Sequence, residues 1–145
     1  MTQESKTPLV SVLMPMFNAS RYLHEVIDSI LVQSFTDYEF LIVDDGSNDD
    51  SVAIARSYED GRIRVLAEPH LGLVATRNKC LTEARGRYMA WTDADDRSAP
   101  ERLLKQVTFM EANPQIVAVG TWAQAIDSLG QSIDDRMIPP TGGKL

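Results

Sequence analysis

The sequence predicts an α/β fold with a mostly parallel sheet and helices on both faces. Short, nearly continuous apolar runs alternate with stretches whose apolar residues recur at helical spacing. Several runs stop abruptly at polar, turn-forming segments: Pro15-Met16-Phe17-Asn18, Asp44-Asp45-Gly46-Ser47 and Asp93-Ala94-Asp95-Asp96. In parallel sheets ligands bind beyond the carboxyl ends of the strands, so these segments are expected to meet at one edge.

The first run, Leu9 to Met14, stops at Pro15 and reads as a strand buried on both faces. Leu23, Val26, Ile27, Ile30 and Leu31 then form one apolar helical stripe, with Asn18 or Ser20 as candidate caps. Tyr38 to Val43 is a second buried strand, Ser51 to Tyr58 a short helix and Ile63 to Leu66 a third strand. Gly72 opens a helix in which Val74, Asn78 and Leu81 share a face; Gly86 ends it. Tyr88 to Trp91 is the fourth strand. Ser98-Ala99-Pro100-Glu101 has the form of a capping box for a helix carrying Leu103, Val107 and Met110, which stops near Asn113-Pro114. A fifth strand is expected at Ile116 to Val119 and a hairpin between Ile126 and Ile138.

The 145 residues fit a single domain able to bury a core. Residues 1–8 are expected to be a flexible N-terminus, 9–100 the binding core, and 101–145 a helix, strand and hairpin with a frayed end. With 43% apolar and 24% charged residues, disordered and fibrous classes are excluded. No apolar run approaches the ~20 residues that cross a bilayer, and the N-terminus lacks the apolar core of a secretory signal. One cysteine, Cys80, excludes an internal disulfide and suits a reducing cytoplasm. A net charge of −7 argues against a nucleic-acid partner. His24 and His70 lack partners at metal-ligand spacing, which argues against zinc.

Asp93, Asp95 and Asp96 place three carboxylates within four residues. Such groups repel one another unless a positive charge sits between them. A hard divalent cation, Mn²⁺ or Mg²⁺, takes oxygen ligands and shares them with substrate phosphates. The alternative for this triplet alone is a solvated acidic turn after a strand.

The motifs, taken in order, resemble the family 2 glycosyltransferases, inverting enzymes of the GT-A fold that use nucleotide-sugars. Val10 to Asn18 is similar to the family's opening strand and P-x-[YF]-N turn, and Ser29-Ile30-Leu31-Val32-Gln33-Ser34-Phe35 to its S-[IV]-L-x-Q-[ST]-[FY] helix end. Phe40 to Ser47 matches the strand ending in D-D-G-S. Gly72 to Asn78 is close to G-x-x-x-A-R-N, with Thr76 where Ala is usual. Ala84 to Tyr88 and Asp93 to Asp96 complete the set, over about residues 9 to 138.

The resemblance implies a nucleotide-diphospho-sugar site made of Pro15, Phe17, Asn18, Asp44, Asp45, Arg77, Asp93 and Asp96, with Asp95 and Asp93 serving the metal. Asp45 would accept a hydrogen bond from the nucleobase ring N–H, which suits uracil and favours a UDP-sugar. Phe17 would lie against the base, or else belong to the core. Asp44 would shape the turn, and Pro15 would bring the backbone close to the base. Arg77 would reach the ligand or pair with Asp45; an ordinary surface arginine is the alternative. Asp96 would orient the donor sugar or a neighbouring group.

Inversion also needs a base for the acceptor hydroxyl. The resemblance puts that base in a later segment, so no catalytic residue is assigned and the C-terminal part of the GT-A domain is expected to be missing. Asp127, Asp134 and Asp135 suit a connecting hairpin instead. The acceptor (a glycan, a lipid-linked sugar or a protein) is unassigned, and the implied role is polysaccharide biosynthesis at the cell envelope. The expected location is cytoplasmic, with peripheral association at the inner face of the membrane left open. Self-association is expected through surface left by the missing part. The alternative function is a non-catalytic nucleotide-sugar-binding or scaffold module. A phosphorelay receiver domain is disfavoured because the first strand ends in Pro15 where an acidic pair is needed. A nucleotidyltransferase is disfavoured because Met16-Phe17-Asn18-Ala19 is neither Gly-rich nor basic.

Overall fold

Four apolar runs become strands: β1 (Val10–Met16), β2 (Tyr38–Asp44), β3 (Ile63–Ala67) and β4 (Tyr88–Trp91). The computed structural model describes residues 7–133. The strands pair in parallel in the order β3-β2-β1-β4. Every residue of β1 and β2 is buried, which explains runs without polar alternation. β1 continues through Pro15 to Met16, two residues past the expected stop. The amide of Thr92 donates to the Leu13 carbonyl on the β4 side, and that of Asp45 to the Met16 carbonyl on the β2 side. Alternation therefore turns the missing N–H of Pro15 toward β4, whose ladder has already ended with Trp91 opposite Leu13.

Helices cover both faces. α1 (Leu23–Leu31) buries Leu23, Val26, Ile27 and Ile30, the expected stripe. The Tyr38 hydroxyl donates to the Ile30 carbonyl at 2.8 Å, placing α1 on the face to which Tyr38, Phe40 and Ile42 point. On the opposite face Leu13, Leu41 and Val43 pack with Cys80 of α3 (Leu73–Glu83). α3 buries Thr76 and Cys80, not the expected Val74–Asn78–Leu81 face; Val74 is 76% exposed. The small side chains at 76 and 80 let this helix lie close to the sheet. α2 (Ser51–Arg56) is shorter than expected.

Neither Asn18 nor Ser20 caps α1, whose N-cap is Tyr22 with no side-chain bond. Both serve the turn after β2 instead. The Ser98 capping box also fails to form: α4 (Arg102–Ala112) begins four residues later. Residues 98–103 are held by the end of α1. The Ser98 amide donates to Ser29 Oγ at 3.1 Å and the Ser34 amide to the Pro100 carbonyl at 2.9 Å. Gln33 Nε2 donates to the Ala99 carbonyl at 2.7 Å, and Gln33 Oε1 accepts from the Leu103 amide at 3.0 Å.

The chain divides between Leu103 and Leu104 into two compact units. In the second, no strand forms at residues 116–119 and Val117 is exposed, so the expected fifth strand is absent. A turn with an Ile126–Ser132 antiparallel bridge supports the hairpin as far as residue 133. There Asp127 Oδ1 accepts from the Leu129 and Gln131 amides at 2.8 and 2.9 Å, a turn role rather than a catalytic one. Residues 1–6 of the expected flexible N-terminus (1–8), the frayed end, and Asp134 and Asp135 lie outside the described residues.

One buried polar group pins the lower part of the sheet. Glu39 Oε1 accepts from Ser11 Oγ at 2.6 Å and from the Arg85 amide at 2.7 Å, while Oε2 pairs with Arg64 Nη1 at 2.7 Å. Burial pushes this carboxyl up, but the bonds from Ser11, Arg64 and the Arg85 amide outweigh it and leave it below its ordinary value. Its charged form therefore stabilises the fold above the ordinary carboxylate range, and that contribution is lost as pH falls through the lowered folded value. Glu39→Gln should cost about 3 kcal/mol at neutral pH. Urea denaturation should show the gap between wild type and variant narrowing in acid; a gap constant down to strongly acidic pH would contradict this assignment.

Candidate functional site

Parallel pairing sends the loops after all four strands to one edge of the sheet. Two of these loops are stitched together by short polar side chains. The Asn18 amide donates to Ser47 Oγ at 2.8 Å, and Asn18 Oδ1 accepts from the Asn48 amide at 3.0 Å. The Ala19 amide donates to Ser51 Oγ and the Ser20 amide to Asp49 Oδ2. Asn18 sits at φ +49°, a conformation that asparagine tolerates better than most residues. The side chains the sequence offered as helix caps thus join the first loop to the second.

Asp44 and Asp45 are both buried and hold different things. Asp44 Oδ2 accepts from the Gly46 and Ser47 amides at 3.1 and 3.0 Å, closing the turn as expected; its Oδ1 is buried without a partner. Asp45, only 4% exposed, reaches across to the loop after β3. Its Oδ1 accepts from the Leu71 amide at 2.8 Å, and the Gly72 amide lies 3.1 and 3.0 Å from its two oxygens. Burial pushes the Asp45 carboxyl up, but the Leu71 amide, Thr76 hydroxyl, Gly72 amide and His70 together hold it below its ordinary range. The turn is close-packed: a Cβ on Gly46, at φ +73°, would stand 2.7 Å from the His70 backbone nitrogen.

Phe17 is 47% exposed and therefore no core residue. Its ring stacks on His70 with centroids 4.6 Å apart and planes inclined by 30°. His70 has no motif or spacing signal in the sequence beyond standing two residues before Gly72. Pro15 is buried within β1, two residues before Phe17.

The acidic turn follows β4. Asp93, Asp95 and Asp96 are all exposed, and the Asp96 amide bonds the Asp93 carbonyl at 3.2 Å. Partial desolvation, then the charges of Asp95 and Asp93, push the Asp96 carboxyl above its ordinary value. Arg102 donates from Nη1 to the Trp91 carbonyl at 3.0 Å, while its Nε and Nη2 are buried without partners. Desolvation lowers its pKa, against the pull of Asp96. Arg77 pairs with Asp93 at 3.3 Å and lies 5.6 Å from the Trp91 ring centre. It does not pair with Asp45. α3 links the two groups, since Gly72 at its start is bonded to Asp45 and Arg77 further along is bonded to Asp93.

Among the described residues, no group of three or more His, Cys, Asp or Glu side chains is assembled to hold a metal ion. The turn nonetheless fits a hard cation of the Mg²⁺ type, which is bound through one or two carboxylates plus substrate phosphates. The mutual repulsion felt at Asp96 is the charge such an ion would neutralise.

The sequence model of Glycosyl transferase family 2 matches residues 11–141. The chain belongs to that family. It is 40% identical over 127 residues to "Putative glycosyltransferase EpsE" of Bacillus subtilis (strain 168), covering 85% of this chain and 46% of the relative. It is 43% identical over 106 residues to "Putative teichuronic acid biosynthesis glycosyltransferase TuaG" of the same organism, covering 71% and 42%. Among solved structures it is similar to the mannosyltransferase PcManGT of Pyrobaculum calidifontis, in complex with GDP-Man and Mn²⁺. That match has a TM-score of 0.69 at 26% identity and covers 77% of this chain and 34% of the other. The fold is GT-A, and the name of the second relative assigns that protein to teichuronic acid biosynthesis. The chain spans about half the length of the curated relatives it matches. Among the described residues, no helix is long and apolar enough to cross a membrane.

Asp45 is the keystone of this rim, because one carboxylate serves the amides of two residues in another loop. Asp45→Asn removes a charge-assisted acceptor and turns an NH₂ group toward those amides. It should cost about 2 kcal/mol in chemical denaturation. Wild-type stability in the variant would mean that the Asp45 bonds do not hold the loop.

Proposed function

We propose that this chain is the donor-binding part of an inverting glycosyltransferase, taking a nucleotide-diphospho-sugar, with a UDP-sugar favoured, together with Mn²⁺ or Mg²⁺. The observation that carries this reading is the fixed edge at which Phe17, Asp45 and the turn after β3 meet, joined through α3 to the acidic turn. Phe17 offers its exposed ring to the base. Asp45 accepts the base's ring N–H alongside the amides it already serves, while Asp44 and Pro15 hold the backbone close. Asn18 closes the rim beside the base.

Asp95 and Asp93 hold the cation, which when bound supplies Lewis-acid neutralisation of the leaving nucleoside diphosphate. Asp96 faces the donor sugar, and Arg77 keeps Asp93 oriented while adding positive charge near the phosphates. The Mn²⁺ in the related mannosyltransferase supports a metal; its GDP-Man makes guanine the competing base. The acceptor is an unidentified hydroxyl, and its base belongs to a segment other than this rim.

Calorimetric titration with UDP, GDP and dTDP, with and without Mn²⁺, tests the proposal. UDP should bind with Mn²⁺-dependent affinity, and Asp95→Ala should remove the Mn²⁺-dependent gain of about tenfold or more. Absence of binding by all three nucleotides would overturn the donor site.

A further inference from the structure

We infer that Arg102 is the positioning residue of the acidic turn, its Nε–Nη2 edge being the seat that the Asp96 carboxylate takes once a cation lies between Asp93 and Asp95. This role deepens the donor site proposed above and rests on it.

Arg102 is the first residue of α4, and hydrogen bonds fix it from three directions. Its amide donates to the Ala99 carbonyl at 3.0 Å, and the next amide, that of Leu103, donates to Gln33 Oε1 at 3.0 Å. Its Nη1 donates to the Trp91 carbonyl at 3.0 Å. The guanidinium thus joins the two ends of the loop, residues 92–101, that carries Asp93, Asp95 and Asp96. Nε and Nη2 are buried and have no partner among the described residues. These two nitrogens share one edge of the guanidinium, where their N–H bonds run parallel at the spacing of a carboxylate's oxygens. A charged donor pair withdrawn from water and left unmade is costly, so a carboxylate within reach is drawn to it.

Asp96 is that carboxylate. Its side chain makes no hydrogen bond or ion pair among the described residues, and it and Arg102 each feel the other's charge. Two other arginines near the turn are taken: Arg77 pairs with Asp93 and Arg97 with Glu25, both at 3.3 Å. Without an ion, the three like charges of the turn hold one another apart. With a cation between Asp93 and Asp95 those two are neutralised, and Arg102 is the positive group left for Asp96. Seated on the fork, each Asp96 oxygen accepts one bond and keeps a further lone pair. Arg102 then fixes the direction in which Asp96 meets the donor sugar, while Asp93 and Asp95 are left to the ion.

A contact made only in the cation-bound state adds its free energy to cation binding. Arg102→Lys keeps the charge but loses the fork. In calorimetry it should weaken UDP about tenfold, and the loss should appear only with Mn²⁺ present. Asp96→Asn should show the same loss. UDP lacks the transferred sugar, so a direct contact of Asp96 with that sugar cannot contribute. The double variant should be no weaker than either single one, because both remove one contact. Arginine Nε–H spectra of the whole chain read the seat itself, with the Arg102 signal identified by its absence from Arg102→Lys. On adding UDP with Mg²⁺, the diamagnetic ion, that signal should move downfield in the wild type and stay in place in Asp96→Asn. Asp96 is exposed, so these spectra and the Asp96→Asn titration decide the matter if Arg102→Lys does not fold.

UDP binding that leaves the Arg102 Nε–H signal unmoved, or moves it equally in Asp96→Asn, would overturn the inference and leave the donor site standing. So would additive losses in the double variant, or Mn²⁺-dependent UDP affinity in Arg102→Lys equal to that of the wild type. Failure of the wild type to bind UDP, GDP or dTDP would remove the donor site and this inference together.

Discussion

Strand β1 is hydrogen-bonded in parallel on both sides, to β2 and to β4, and the rest of the structure depends on that double pairing. Met16 stands opposite Asp44, and Leu13 opposite Trp91. With all strands running the same way, every loop that leaves a carboxyl end emerges at one rim. An antiparallel partner on either side would send Asp45 or Asp93 to the opposite edge. The pairing is strongly specified because β1 and β2 are buried on both faces, so a slip of one residue would exchange the layers packed under α1 and α3.

Above the sheet, order comes from polar groups that bridge loops rather than from more apolar packing. The hydroxyls of Ser47 and Ser51 and the carboxylate of Asp49 receive the amides that follow β1. The Asp45 carboxylate receives those that follow β3. Backbone groups in loops need partners when water is excluded, and here each partner belongs to a different loop. The same bonds that satisfy the backbone therefore fix the distances between loops. α3 extends the arrangement to the acidic turn, with Gly72 tied to Asp45 and Arg77 tied to Asp93. Phe17, His70 and the carboxylates of the acidic turn remain exposed at this rim.

Much of this was legible in the sequence. The four parallel strands, the α1 stripe and the convergence of three strand ends follow from apolar runs that stop at turn residues. The errors have physical causes. Thr76 and Cys80 are too small and polar to register as an apolar face, yet smallness is what brings α3 against Leu13 and Leu41. Asn18, Ser20 and Ser98 have the chemistry of caps, but a hydroxyl, an amide or its neighbouring backbone can serve another loop equally well. That choice is made by tertiary structure. Ile116 to Val119 has strand composition without a strand, since β propensity is expressed only where a partner edge is present. His70 carries no signal in the sequence because its contacts, Asp45 and Phe17, are both distant along the chain.

The claim that separate loops form one donor-binding rim is tested most directly by a paramagnetic ion placed in it. Mn²⁺ added with UDP to ¹⁵N-labelled protein should broaden the amide signals of Phe17, Asp45 to Ser47, Leu71, Gly72 and Asp93 to Asp96 together. Those of Val10, Tyr38 and Tyr88, at the other ends of the strands, should keep their intensity. Broadening confined to the acidic turn, with Phe17 and Asp45 spared, would contradict a common rim.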